Sequence, residues 1–142
     1  MYPIKSAQML ASRDQEARLE LCHCDQVGLG VRSVVSFSKG EVLDHFDGRI
    51  DQHISQHSLQ VGRGEHISET QFVGFLSHGC DPNCALDMET RRLIALKDIA
   101  AGELLRIDYS ETEDTLFKDF DCACGAFQCR QKITGRLAMK NP

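Results

Sequence analysis

The stretch CACGAFQC, residues 122–129, constrains this chain more than any other. It spaces Cys122, Cys124 and Cys129 as C-x-C-x4-C, with a glycine between them, so that the three can wrap one metal ion. A structural zinc takes four ligands in a tetrahedron. The fourth must come from elsewhere, and whatever supplies it draws the tail back onto the body. His78, Cys80 and Cys84, all within FLSHGCDPNC at 75–84, are the candidates. The competing reading is a set of buried free thiols, because cysteine often serves as a small core residue. Three cysteines within eight residues of a loop-like tail weigh against it.

The chain has seven cysteines, and the odd count argues against a disulfide framework. The N-terminal stretch has no apolar run of signal-peptide length. The expectation is an intracellular protein, nuclear in a eukaryote and cytoplasmic in a bacterium. Cys22-His23-Cys24 lies in an alternating segment, which puts both thiols on one face and His23 on the other. That reads as strand cysteines rather than ligands.

At 142 residues the chain suits one domain with a real core. A net charge of −5 excludes a general binder of phosphate backbones, so no direct nucleic-acid contact is expected. The same balance suits a basic partner. No apolar run approaches the roughly 20 residues of a membrane-spanning helix. Composition leaves the oligomeric state open.

Periodicity predicts strands along most of the chain. RLELCHC alternates, and GVRSVVSF is rich in β-branched residues. SKG turns the chain into EVLDHFDGRI, read as one further strand. SLQVG and EHI read as short strands, FVGFL as a buried run, and ALDMETRRLIALKDI as a hairpin around Glu89-Thr90. AAGELLRIDY reads as a turn and a strand, and the tail beyond it as loop. The first 18 residues read as a loose lead-in with one helical turn near SAQMLAS. The sum is a mostly β domain with a small C-terminal metal module.

Four pieces then occur in one order: GLGVRSVVSFSKGEVLDHFDGRI, FLSHGCDPNC, ALKDIAAGELLRIDY and FDCACGAFQCRQKITG. Together, over roughly Leu19 to Gly135, they resemble the SET-domain protein-lysine methyltransferases with a cysteine-rich post-SET segment. The resemblance implies a SET-domain fold, small curved β-sheets around a pseudoknot. It implies a lead-in at 1–18, a SET domain at 19–110 and a zinc-binding post-SET tail at 111–142. It implies transfer of a methyl group from S-adenosylmethionine to a lysine presented by a basic protein or peptide, such as a histone tail.

Carried over residue by residue, Gly28, Leu29 and Gly30 match the loop whose backbone approaches S-adenosylmethionine. Ser77 and His78 stand where the family's Asn and His meet the cofactor, and Tyr109 matches the catalytic tyrosine, which also adjoins the cofactor. Cys80 matches the fourth zinc ligand, beside Cys122, Cys124 and Cys129, whereas Cys84 has no counterpart and is left as a strand cysteine.

The chain departs from the family pattern at three places. Ser77 replaces Asn and has a shorter reach. Gly79 replaces Ser. Ile107 stands in the substrate channel where the family carries Phe or Tyr. It has no hydroxyl to anchor a water, so by analogy with the Phe case it implies more than one methylation. The stretch from Asp51 to Gln71 is a short insert, which implies an open groove or one completed by a partner. Glu111, Glu113, Asp114, Asp119 and Asp121 form either an acidic rim for a basic substrate or an exposed charged loop. Ser77 and Ile107 also motivate a catalytically weak SET-fold module that only binds a protein tail. A Cys-His hydrolase is disfavoured, because positions i and i+2 rarely place a base on its nucleophile.

Overall fold

Side chains that alternate between apolar and polar can bury only one face, and this chain meets that condition with several small sheets rather than one large one. The computed structural model describes residues 18–24, 28–122 and 126–137. The expected N-terminal helical turn, like Cys124, lies outside the described residues. Strand β1 (Leu19–Cys24) pairs antiparallel with β2 (Gly28–Ser33), in register from Leu19 opposite Ser33 to Cys24 opposite Gly28. Leu19 and Val31 are buried, whereas Leu21 and His23, on the same face as Leu19, are exposed, so the core covers that face only at its start.

Strands β3 (Val42–His45), β9 (Arg92–Ala95) and β8 (Cys84–Asp87) form a second sheet in that spatial order. The β8–β9 hairpin matches the expected one. Asp87 closes it by accepting the N–H groups of Glu89 and Thr90 at 3.1 and 3.2 Å. Strands β4 (Arg49–Asp51), β6 (Glu65–Ser68) and β5 (Leu59–Gly62) form a third sheet, built largely from the insert. EVLDHFDGRI is therefore not one strand. It breaks at Phe46-Asp47-Gly48, where Phe46 turns into the core and its two halves enter different sheets.

Val31, Ile67, Val73, Leu93 and Leu105 are fully buried and centre a single core. FVGFL is buried at Phe72, Val73 and Leu76, but it coils into a 3-10 turn at Val73–Phe75 that leaves Phe75 half-buried, with Gly74 N–H donating to Thr70 Oγ1 at 2.8 Å.

Two minimal strand pairs hold the segments that line the cleft described below. Strand β7 (Ser77–His78) runs parallel to β10 (Arg106–Ile107), and Gly79 N–H extends the ladder to the Ile107 carbonyl at 3.0 Å. The buried Asn83 fastens the turn after β7 to the same strand. Its Oδ1 accepts Arg106 N–H at 2.8 Å and its Nδ2 donates to the Leu104 carbonyl at 3.0 Å. The tail is not all loop. A single helical turn, α1 (Tyr109–Thr112), starts behind Asp108, whose carboxylate caps it by accepting Ser110 N–H. Strand β11 (Phe120–Asp121) then pairs with β12 (Lys132–Ile133). Among the described residues no helix is long and apolar enough to cross a membrane.

Candidate functional site

The insert, the 3-10 turn, β7, α1 and the tail surround a cleft of about 660 Å³, and bring Leu29, His57, Ser77, His78, Tyr109 and Cys122 to its walls. Tyr109 is fixed from three sides. Its N–H donates to His78 Nδ1 at 3.1 Å, and its hydroxyl donates to the Leu76 carbonyl at 2.5 Å. Its ring meets His78 and Phe120 edge-on, with centroids 5.2 and 5.8 Å away. Burial, reinforced by the Glu113 carboxylate, pushes the phenol up to about 12. The hydroxyl is therefore neutral at physiological pH. Its proton is committed to Leu76, which leaves the oxygen lone pairs as acceptors only.

Ser77 is 5% exposed, and its Oγ has no hydrogen-bond partner among the described residues. A buried hydroxyl left unmade costs roughly 1–3 kcal/mol. The neighbouring backbone has been stripped of side chains. A Cβ on Gly30 would come within 3.0 Å of Ser77 Oγ and 3.1 Å of Leu104 Cδ1, and Gly28 holds a φ of +74°. An orphaned polar atom beside bare backbone suits a ligand that brings its own hydrogen-bonding groups.

The tail does return onto the body. His78, Cys80 and Cys122 offer ligand atoms that all lie within 4.8 Å of one another. Arg130 N–H, from the tail, donates to Cys80 Sγ at 3.4 Å. Two thiols and an imidazole are borderline-soft donors of the kind zinc selects. Cys80 and Cys122 thus meet as the sequence implied. Cys129 lies nearby, its Sγ 3.8 Å from the Cys122 carbonyl, but outside that three-residue group. Cys84 is a core residue of β8, 1% exposed, and burial with Glu103 pushes its thiol up to about 12. It is a strand cysteine, as expected.

His78 Nε2 lies 3.4 Å from Cys80 Sγ, so this i, i+2 pair does come together, against expectation. Hydrolytic chemistry still does not result. Nδ1 already accepts Tyr109 N–H, and burial, with Arg130 adding to it and Asp108 opposing, holds the imidazole down at about 4. A neutral ring with Nδ1 as its acceptor carries its proton on Nε2. It faces Cys80 as a donor, not as a base.

Several site residues carried no motif. Arg130 donates to Asp108 Oδ1 at 2.7 Å and to Ser110 Oγ at 2.9 Å, joining the tail to the α1 cap. Gln60 faces the same segment from the insert. Its N–H donates to Glu113 Oε2 at 2.8 Å, its Nε2 donates to Asp114 Oδ2 at 2.7 Å, and its Oε1 accepts Asp114 N–H at 2.7 Å. Arg136 completes the latch by donating from Nε to Asp114 Oδ1 at 3.0 Å. Glu113 is 4% exposed, so it belongs to this latch and not to an exposed acidic loop; Glu111, Asp119 and Asp121 are exposed. Ile107 is buried to 1% in β10 opposite His78, within the core and off the cleft walls. Asp-Tyr-Ser is a helix-cap pattern that could have flagged Asp108. No local signal marks Gln60 or Arg130.

Comparison with known proteins agrees with this architecture. The SET domain family model matches residues 28–110. A methyltransferase of Aspergillus flavus, flvH, is 29% identical over 58% of this chain and 48% of its own length. The H3 lysine-9 specific histone-lysine N-methyltransferase KMT1 of Fusarium mangiferae is 27% identical over 86% of this chain and 50% of its own. The H3 lysine-4 specific enzyme of Saccharomyces cerevisiae is 41% identical over 54% of this chain but only 8% of its own. The chain thus spans about half the length, or less, of these relatives. Among solved structures, KRYPTONITE in complex with mCHG DNA and SAH superposes with a TM-score of 0.65 at 25% identity, over 80% of this chain and 28% of that one. KRYPTONITE with mCHH DNA, an H3(1-15) peptide and SAH gives 0.66 at 24% identity, over 82% of this chain and 29% of that one, a likeness of fold. With a family match over more than half its residues and a mostly β architecture to suit, the chain belongs to the SET domain family.

Proposed function

We propose that this protein is a protein-lysine N-methyltransferase that uses S-adenosylmethionine and acts on a basic protein tail such as a histone. The observation that carries the reading is the meeting of Tyr109, its hydroxyl proton already committed, with the orphaned Ser77 Oγ at one cleft. The relatives named as histone-lysine methyltransferases, and the SAH present in the 25%-identical neighbour, support it.

Bound S-adenosylmethionine would supply a sulfonium methyl group to a neutral amine nitrogen, its sulfur leaving with the bonding pair. The chain's own residues do the rest. Gly30 lies against Ser77, where a Cβ would press on the hydroxyl, and that hydroxyl would gain its missing partner from the cofactor. Phe75, Leu116, Phe117 and Phe120 line the cleft with apolar surface, which disfavours an ammonium and lowers a substrate lysine's pKa from about 10.4. The Tyr109 oxygen, its own proton directed at Leu76, offers lone pairs to the amine and to a polarised methyl group.

A structural zinc would be held by Cys80 with Cys122 and the other tail cysteines, Cys124 and Cys129, fastening the post-SET tail of residues 111–142 to the SET domain. The net charge of −5 suits a basic substrate and no direct nucleic-acid contact. A histone substrate would place the protein in a nucleus. Mass spectrometry of histones and basic peptides after incubation with cofactor tests the reading. Added methyl units on lysine support it; saturable peptide binding with no cofactor binding and no turnover would mark a binding module instead.

A further inference from the structure

A backbone N–H can only donate, so the 3.1 Å contact from Tyr109 N–H makes His78 Nδ1 the lone-pair nitrogen. A ring whose Nδ1 keeps its lone pair for Tyr109 N–H carries its proton on Nε2, which lies 3.4 Å from Cys80 Sγ. The same sulfur accepts Arg130 N–H, also at 3.4 Å. Arg130 Nη2 passes 3.3 Å from Nε2, but it donates to Asp108 at 2.7 Å and needs no lone pair from the ring. Cys80 Sγ thus receives two N–H groups, one from β7 and one from the tail. A metal-bound thiolate, which carries charge, has far more use for two donors than a thiol does.

We infer that His78 is a positioning residue outside the metal's ligand set. Its Nε2–H steadies the Cys80 thiolate while its Nδ1 holds the Tyr109 backbone, so that metal occupancy and the placement of Tyr109 are coupled through one ring. Proximity alone would make His78 a ligand, since it lies with Cys80 and Cys122. The direction of its hydrogen bonds argues otherwise, because ligation through Nε2 would require the proton there to leave. Outer-sphere partners of this kind orient ligands and alter metal affinity. The inference rests on the zinc reading above but not on methyl transfer.

The test uses the full chain with nitrogen-15 histidine, its metal counted by elemental mass spectrometry and then exchanged for cadmium-113. The expected result is protonated Nε2 and unprotonated Nδ1 at His78, no cadmium coupling to either ring nitrogen, and a Tyr109 amide signal that moves when metal is stripped. His78→Phe should lose zinc to a chromogenic chelator about tenfold faster or more. His78→Gln, which keeps an N–H donor, should recover part of that loss. Cadmium coupling to His78 Nε2, or both variants releasing zinc at the wild-type rate, would overturn the inference. A chain that binds no metal but keeps this tautomer would overturn the coupling through failure of the zinc reading, and the metal count separates that case from the others.

Discussion

Arg130 Nη2 lies 2.7 Å from Asp108 Oδ1, so the residue after Cys129 in the tail is bonded to the residue before Tyr109 in the body. The same carboxylate oxygen accepts Ser110 N–H at 3.0 Å and Ser110 Oγ at 2.7 Å. Tail docking and the start of α1 thus share one acceptor. Burial opposes the charge on Asp108, but the bonds from Arg130 and Ser110 outweigh it and hold its carboxyl below the usual range.

Arg130→Ala should therefore destabilise the fold by about 1–2 kcal/mol, less than a fully buried pair because the arginine is partly exposed. The depressed value sets the sign with pH. The stabilisation is present above the unfolded carboxylate pKa and lost as pH falls toward the folded one. Urea unfolding followed across the acid range should show a shallower acid dependence in the variant than in wild type.

Ser77→Ala separates folding from binding. Removing a buried hydroxyl that has no partner should leave the melting temperature unchanged or raise it. Calorimetry with S-adenosylmethionine should show affinity weakened by about 1 kcal/mol, roughly fivefold. A parallel loss of both stability and affinity would mean that the hydroxyl is satisfied within the fold.

Glu113 has the opposite pH sign to Asp108. Burial raises its carboxyl pKa, and the bond from Gln60 N–H only partly offsets that. A raised folded value contributes stability below the unfolded pKa that is lost as pH rises through the folded one. Glu113→Gln keeps an oxygen for Gln60 N–H but cannot ionise, so its stability relative to wild type should grow across that interval. Thermal unfolding of the two proteins at matched pH values checks this.

The strands were legible where side-chain period and turn chemistry act locally. The β8–β9 hairpin is an example, since Asp87 closes its own turn. Tyr109, Ser77 and Cys80 were legible through ordered motifs, and the structure brings their segments together. What stayed hidden depends on long-range partners. Nothing in SLQVG announces that Gln60 will make three bonds to Glu113 and Asp114, or that Glu113 will consequently be buried. EVLDHFDGRI has strand propensity throughout, but the core claims Phe46 and divides it. The orientation of the His78 ring toward Cys80 likewise depends on a long-range partner, since Tyr109 N–H holds the ring's other nitrogen.

Metal removal should act mainly on the tail. Elemental analysis should find one zinc per chain, and Cys80→Ser or Cys122→Ser should lower that content. Chelation should speed amide exchange first in β11 and β12, with the core around Val31 and Leu93 protected longest.

The central claim is that Tyr109 takes part in methyl transfer to lysine. Histones and an H3 peptide are incubated with S-adenosylmethionine and either wild type or Tyr109→Phe, and the products are read by mass spectrometry. The variant forfeits one hydroxyl bond, about 1 kcal/mol of stability, and should remain folded. The expected result is methyl groups on a lysine with wild type and at least about a hundredfold less with the variant. The same background from both proteins across a broad panel of basic substrates would contradict the account.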